Sequence, residues 1–146
     1  FKKHYDNNGF KKTIVFPGIV KMLRNIKDSN LKIYIATNKR IFPTNQIIEM
    51  LEWGEFFNGV YALDSIHPFA NSKGDLLNEI IEANNLTKDG IIYIGDRKDD
   101  FAAAIYSGLN YIMATWGYAA KEEVKINVDI VDNPIALSDR LLRNVK

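Results

Sequence analysis

The most restrictive feature of the sequence is a strand-like run that passes into a helix-like run with almost nothing between them. Ile91-Ile92-Tyr93-Ile94 is short, β-branched and aromatic, the composition of a strand buried inside a sheet. Gly95-Asp96-Arg97-Lys98 leaves it abruptly. Asp99 to Ser107 then carries Phe101, Ala102, Ala104 and Ile105 at helical spacing, and Gly108 stops it. The same rhythm recurs along the chain. Ile19 to Asp28 is an amphipathic helix, with Ile19, Val20, Leu23 and Ile26 spaced by three and four. Lys32-Ile33-Tyr34-Ile35-Ala36 is a strand, and Pro43 opens a helical pattern through Ile47, Ile48 and Leu51. Val60 to Leu63 is a further, weaker strand, and Lys73 to Ala83 is a helix with Leu76, Leu77, Ile80 and Ile81 facing inward. Strands at Tyr111 to Ala114 and Val128 to Val131 follow, the second leading to a helix opened by Pro134 over Ile135, Leu137, Leu141 and Leu142. Alternation of this kind predicts an α/β fold: a three-layer, Rossmann-like sandwich with a mainly parallel sheet between helices.

In such sheets ligands bind beyond the carboxyl ends of the strands. Three polar segments leave strand ends here: Thr37-Asn38-Lys39, Gly95 to Asp100, and Thr115-Trp116-Gly117-Tyr118. Composition removes several other chemistries. The 146 residues contain no cysteine, which excludes disulfides, thiolate nucleophiles and sulfur-ligated zinc. That fits a reducing, cytoplasmic location. The formal charge of +1 offers no argument for nucleic acid, and no apolar run reaches the roughly 18 residues of a membrane span.

Asp96 and Asp100 are four apart, one leaving the strand and one in the first turn of the next helix. Magnesium takes oxygen ligands, keeps several waters and uses only one or two carboxylates beside a substrate phosphate, a need this spacing suits. The rival reading is structural: Asp96 caps the helix, and Asp99 and Asp100 complement its dipole. Thr37 ends a strand, so its hydroxyl and the neighbouring N–H groups suit a phosphoryl oxygen, with Asn38 orienting a substrate; a threonine there also serves as an ordinary turn residue. Lys73 opens a helix after a loop, as a point charge facing phosphate or as a solvated surface lysine. His4 and His67 have no partner framework for zinc, and the glycine spacing makes neither a P-loop nor a dinucleotide fingerprint.

Taken in order, these segments resemble the haloacid dehalogenase superfamily of hydrolases, and within it the phosphoglycolate phosphatase-like branch. Phe16-Pro17-Gly18-Ile19 looks like the approach to the first core helix after the cap. Thr37, at the end of Lys32 to Lys39, matches the second motif of the family. Lys73, in Ser72-Lys73-Gly74-Asp75, matches the lysine of the third, with Gly74 where the family often has proline. Ile94 to Asp100 matches the acidic fourth motif. The resemblance implies that Thr37 and Lys73 bind the transferring phosphoryl group, with Asn38 at the substrate. It implies that Asp96 binds Mg2+ directly while Asp100 supports the metal or its waters, and that the substrate is a small phosphorylated metabolite.

One departure stands out. The first motif of the family, Asp-x-Asp after the first strand, supplies the nucleophile and the acid-base, and no Asp-x-Asp occurs in this chain. In the family's order that strand and most of the cap precede Phe1. The resemblance therefore implies a longer intact protein, with residues 1–15 the tail of an inserted cap and 16–146 a catalytic core lacking its first strand. That strand lies between those ending at Thr37 and Asp96, so its loss leaves a slot in the sheet. The intact protein is expected to be a magnesium-dependent phosphatase working through an aspartyl-phosphate, and these 146 residues alone to be inactive. The alternative is a non-enzymatic relative used for binding or assembly, for which Gly74 and the basic pairs Lys39-Arg40 and Arg97-Lys98 leave room.

Overall fold

A computed structural model of the protein describes residues 15–116 and 128–143. All but Val15 of the expected cap tail, with His4, and the Gly117-Tyr118 half of one expected loop lie outside these residues. None of the described helices is long and apolar enough to cross a membrane.

Helix α1 spans Ile19–Asp28 and buries Met22, Leu23 and Ile26; of the face expected from the sequence, Leu23 and Ile26 are buried, whereas Val20 is 43% exposed and Met22 takes its place. Gly18 precedes it with φ +89°, the left-handed region glycine enters without strain. Strand β1, Tyr34–Thr37, pairs in parallel with β2, Gly59–Ala62, in the register Tyr34 to Gly59 and Thr37 to Ala62. Between them lie α2, Ile41–Met50, and a 3-10 turn at Gly54–Phe56. Then come α3, Lys73–Ala83, and β3, Ile92–Gly95. Helix α4, Lys98–Ser107, leads to β4, Asn110–Ala114, and the described chain closes with β5, Asp129–Val131, and α5, Pro134–Leu142. Strands β3, β4 and β5 pair in parallel in that order.

The α/β layering follows from the two-residue period of β4. Ile112 joins Met22, Leu23, Ile26, Phe56, Val131 and Leu137 in one core, beneath α1 and α5. Tyr111 and Met113 point the other way, into a core with Leu77, Ala103, Ala104 and Leu109 beneath α3 and α4. Small residues let α3 and α4 approach closely: Ser107 Oγ donates to the Gly74 carbonyl at 3.1 Å, and Ala103 and Ala104 are buried between them.

Two expectations need correction. Helix α2 starts at Ile41, not at Pro43, because the Asp64 carboxylate accepts from the Ile41 N–H at 2.9 Å, 23 residues away. Pro43 is accommodated in the first turn, where its missing N–H costs nothing. The run Ile91 to Ile94 is also less buried than its composition predicts, with Ile92 40% exposed. The reason lies in the pairing: among the described residues β3 pairs only with β4, and β1 only with β2, so the parallel strands form two sheets. Between β1 and β3 runs an apolar groove of about 370 Å³, lined by Tyr34 and Ala36 on one side and by Ile92 and Tyr93 on the other, with Leu77 and Ile80 of α3 also along it. It lies where the resemblance places the slot.

Candidate active site

Gly95 ends β3 and Asp100 occupies the third position of α4. The Asp100 carboxylate folds back over the loop between them. Its Oδ2 accepts from the backbone N–H groups of Asp96 at 3.2 Å and Arg97 at 3.3 Å, groups the start of a helix would otherwise leave unsatisfied. The closeness demands glycine at 95: a Cβ there would lie 2.5 Å from both Cβ and Oδ2 of Asp100. Asp100, at the third helical position, thus fills a capping role in this acidic loop, and Asp96 stands just after the strand end.

The other oxygen of Asp100 faces α3. Lys73 Nζ donates to Oδ1 at 3.1 Å, and the Tyr93 hydroxyl donates to the same oxygen at 3.2 Å. Lys73 Nζ also donates to the Tyr93 oxygen at 3.2 Å, closing a triangle of cation, phenol and carboxylate. The Lys73 and Asp100 side chains are only 14% and 10% exposed. Lys73 is the first residue of α3, the end of a helix that repels cations. Its retention there requires a compensating anion, which Asp100 supplies. Burial, followed by the Asp100 charge and its hydrogen bond, raises the ionisation of Tyr93 well above the ordinary tyrosine value. The phenol therefore remains a neutral donor. By contrast, the Arg97–Asp99 pair is more than half exposed on both sides and contributes little.

Thr37 closes β1, and its Oγ1 accepts from the Lys39 N–H at 3.0 Å. The turn role is thereby filled, while the hydroxyl keeps a proton to donate. Asn38 and Lys73 line a common cavity of about 450 Å³ with Asn71, Asp99 and Tyr106. The structure joins Lys73 directly to Asp100 and brings Asn38 to the same cavity. Thr37 and Asp96 stand at the carboxyl ends of the two strands bordering the groove.

Among the described residues no group of three or more histidine, cysteine, aspartate or glutamate side chains could hold a metal ion. Asp96 places a carboxylate, a hard oxygen donor, just after β3. That donor chemistry fits a hard cation which keeps water and phosphate oxygens as most of its ligands; it does not fit a closed protein cage.

Two residues of this region are not singled out by the sequence reading. Tyr93 is the one residue with a polar tip in an otherwise aliphatic strand, which is the signal that marks it. Tyr106 packs over Gly74 so closely that a Cβ at position 74 would overlap its ring, and its hydroxyl donates to Asp75 Oδ1 at 2.8 Å. Glycine in place of the expected proline therefore has a local steric cause.

A family model described as haloacid dehalogenase-like hydrolase matches residues 1–114. The chain belongs to the haloacid dehalogenase-like hydrolases. Within them its relatives are phosphoglycolate phosphatase-like. The phosphoglycolate phosphatase of Cereibacter sphaeroides strain ATCC 17029 is 28% identical over 118 residues, covering 81% of this chain and 53% of that protein. That of Psychrobacter arcticus is 26% identical over 141 residues, covering 95% and 61%. The crystal structure of a predicted phosphatase from Clostridium acetobutylicum superposes with a TM-score of 0.86 at 27% identity, over 97% of this chain and 66% of that one. The chain thus spans only about half to three-fifths of the curated relatives' length. The Rossmann-like fold expected from the alternation of strands and helices, and the family inferred from the ordered motifs around Thr37, Lys73 and Asp96, are both found.

Proposed function

We propose that the intact protein hydrolyses a small phosphate monoester through an aspartyl-phosphate intermediate, with Mg2+ as cofactor. The observation that carries this reading is Lys73: a nearly buried ammonium at the start of a helix, held by Asp100 and Tyr93, at the carboxyl edge of the sheets where Thr37 and Asp96 also end their strands. Residues 16–146 form the catalytic core in this reading, and 1–15 the tail of an inserted cap. The strand that completes the core fills the groove between β1 and β3 and brings the missing aspartates to Thr37 and Asp96.

In the first step a carboxylate oxygen of that strand attacks phosphorus, and the ester oxygen leaves with a proton from the second aspartate. In the next, that aspartate takes a proton from water, the water oxygen attacks phosphorus, and phosphate departs as the carboxylate is restored. Two easier steps replace one hard one. Thr37 donates its hydroxyl proton to a phosphoryl oxygen, and Lys73 offsets the charge of another. Asn38 orients the remainder of the substrate from the shared cavity. Asp96 would hold the metal, with Asp100 fixing the loop that carries it; when bound, the ion neutralises charge on the transferring group. The substrate is a small phosphorylated metabolite met in the cytoplasm. The non-enzymatic alternative draws on Gly74 and on the basic pairs Lys39-Arg40 and Arg97-Lys98; the Tyr106 packing accounts for Gly74 without it.

The test is phosphate release by the intact protein from a panel of small phosphate esters, beside Lys73→Ala. Removing a charge-stabilising donor of this type lowers turnover about 10²–10³-fold. A Lys73→Ala protein of undiminished activity would take Lys73 out of the mechanism.

A further inference from the structure

The phenol of Tyr93 lies between a cation and an anion, and only a group able both to accept and to donate can join them. It accepts from Lys73 Nζ and donates to Asp100 Oδ1, both at 3.2 Å. A phenylalanine would fill the same space and do neither. The ring itself is held in place. Tyr93 faces Tyr111 across the β3–β4 pair with ring centroids 5.9 Å apart. The Tyr111 hydroxyl in turn donates to the Arg97 carbonyl at 3.2 Å, tying this stack to the Asp96–Asp100 loop.

We infer that Tyr93 is a positioning residue for Lys73, an inference that rests on the phosphatase reading for its functional meaning. A lysine side chain is long and flexible, and its ammonium is a rotor with three equivalent donors. Anchored by Asp100 alone, it keeps a wide arc of positions. Anchored by Asp100 and Tyr93 together, two of its three N–H groups are committed and the third has a defined direction. Because both anchors meet at Oδ1, the phenol also stops Lys73 from drawing that carboxylate off the loop N–H groups on its far side. Tyr93 therefore couples the phosphate-facing cation of α3 to the acidic loop after β3, without itself touching the substrate.

The experiment has two arms. In the first, the Lys73 Nζ–H resonance of the chain is followed by nitrogen-edited NMR in wild type and Tyr93→Phe. Loss of one acceptor should shift the resonance and speed its exchange with solvent about tenfold. An unchanged Lys73 resonance in a folded Tyr93→Phe protein overturns the inference. In the second, kcat/KM of the intact protein is measured for wild type, Tyr93→Phe, Lys73→Ala and the double variant. Tyr93→Phe should lose about tenfold, and the double variant should be no worse than Lys73→Ala alone, because Tyr93 acts through Lys73. Independent, multiplicative losses would instead assign Tyr93 a merely structural role. If Tyr93→Phe unfolds, Tyr93→Leu, which likewise removes the hydroxyl, replaces it in both arms with the same two readings. An intact protein that releases no phosphate defeats the phosphatase reading alone, since the Lys73 resonance still decides the role of Tyr93.

Discussion

Asp100→Ala is the most informative single perturbation of the site. It removes four accepted hydrogen bonds at once: two from the loop N–H groups of Asp96 and Arg97, and two from Lys73 and Tyr93. Breaking a buried ion pair from one side costs about 3–5 kcal/mol. The remaining solvent access of the two side chains, 14% and 10%, brings this to about 2–3 kcal/mol. Loss of the acceptor for the first N–H groups of α4 adds about 1 kcal/mol. The sum, about 3–4 kcal/mol, lowers the melting temperature of a chain this size by roughly 6–16 °C. Urea unfolding followed by circular dichroism, with wild-type and variant slopes compared, measures it directly. Asp100→Asn, which keeps one carbonyl acceptor, should fall between the two proteins. A loss below about 1 kcal/mol for Asp100→Ala would refute the reasoning, because it would mean that Lys73 is not held by this carboxylate.

Three further outcomes follow from the same geometry. Gly95→Ala forces a Cβ against the Asp100 side chain and should cost about 1–3 kcal/mol in urea unfolding. Gly74→Ala should cost a similar amount, about 1–3 kcal/mol; in a Tyr106→Ala background, where the overlapping ring is gone, that penalty should vanish or reverse. The hydrogen bond to Asp75 raises the ionisation of Tyr106 above the ordinary tyrosine value, so this contact contributes stability below that value and loses it as pH rises through the folded-state value. Absorbance titration near 295 nm should show one tyrosine ionising earlier in Asp75→Asn than in wild type.

The helices were legible because each depends on its own residues. Ile19 to Asp28 and Lys73 to Ala83 carry their apolar stripes and stop signals within the segment, and both appear with the expected limits. The start of α2 was not, because the group that satisfies the Ile41 N–H comes from Asp64, after the next strand. The exposure of Ile92 was hidden for a related reason. Composition marks a strand as suited to burial, but its neighbours decide whether it is covered, and among the described residues β3 has an open edge towards β1. Within the site, spacing singled out Asp96 and Asp100 as a pair without dividing their roles. Only the fold shows that four donors converge on Asp100. The polar tip of Tyr93 in an aliphatic strand was legible, but not its partner, since nothing in one sequence tells that α3 delivers Lys73 to its hydroxyl.

The proposed function has Asp96 carry the cation beside a phosphate held by Lys73 and Thr37. It is tested most directly by phosphate release from the intact protein in Mg2+ and in excess chelator, for wild type and Asp96→Asn. Release should require Mg2+ and fall at least about 10²-fold in Asp96→Asn. Equal release with and without the metal, or by Asp96→Asn in its presence, would contradict it.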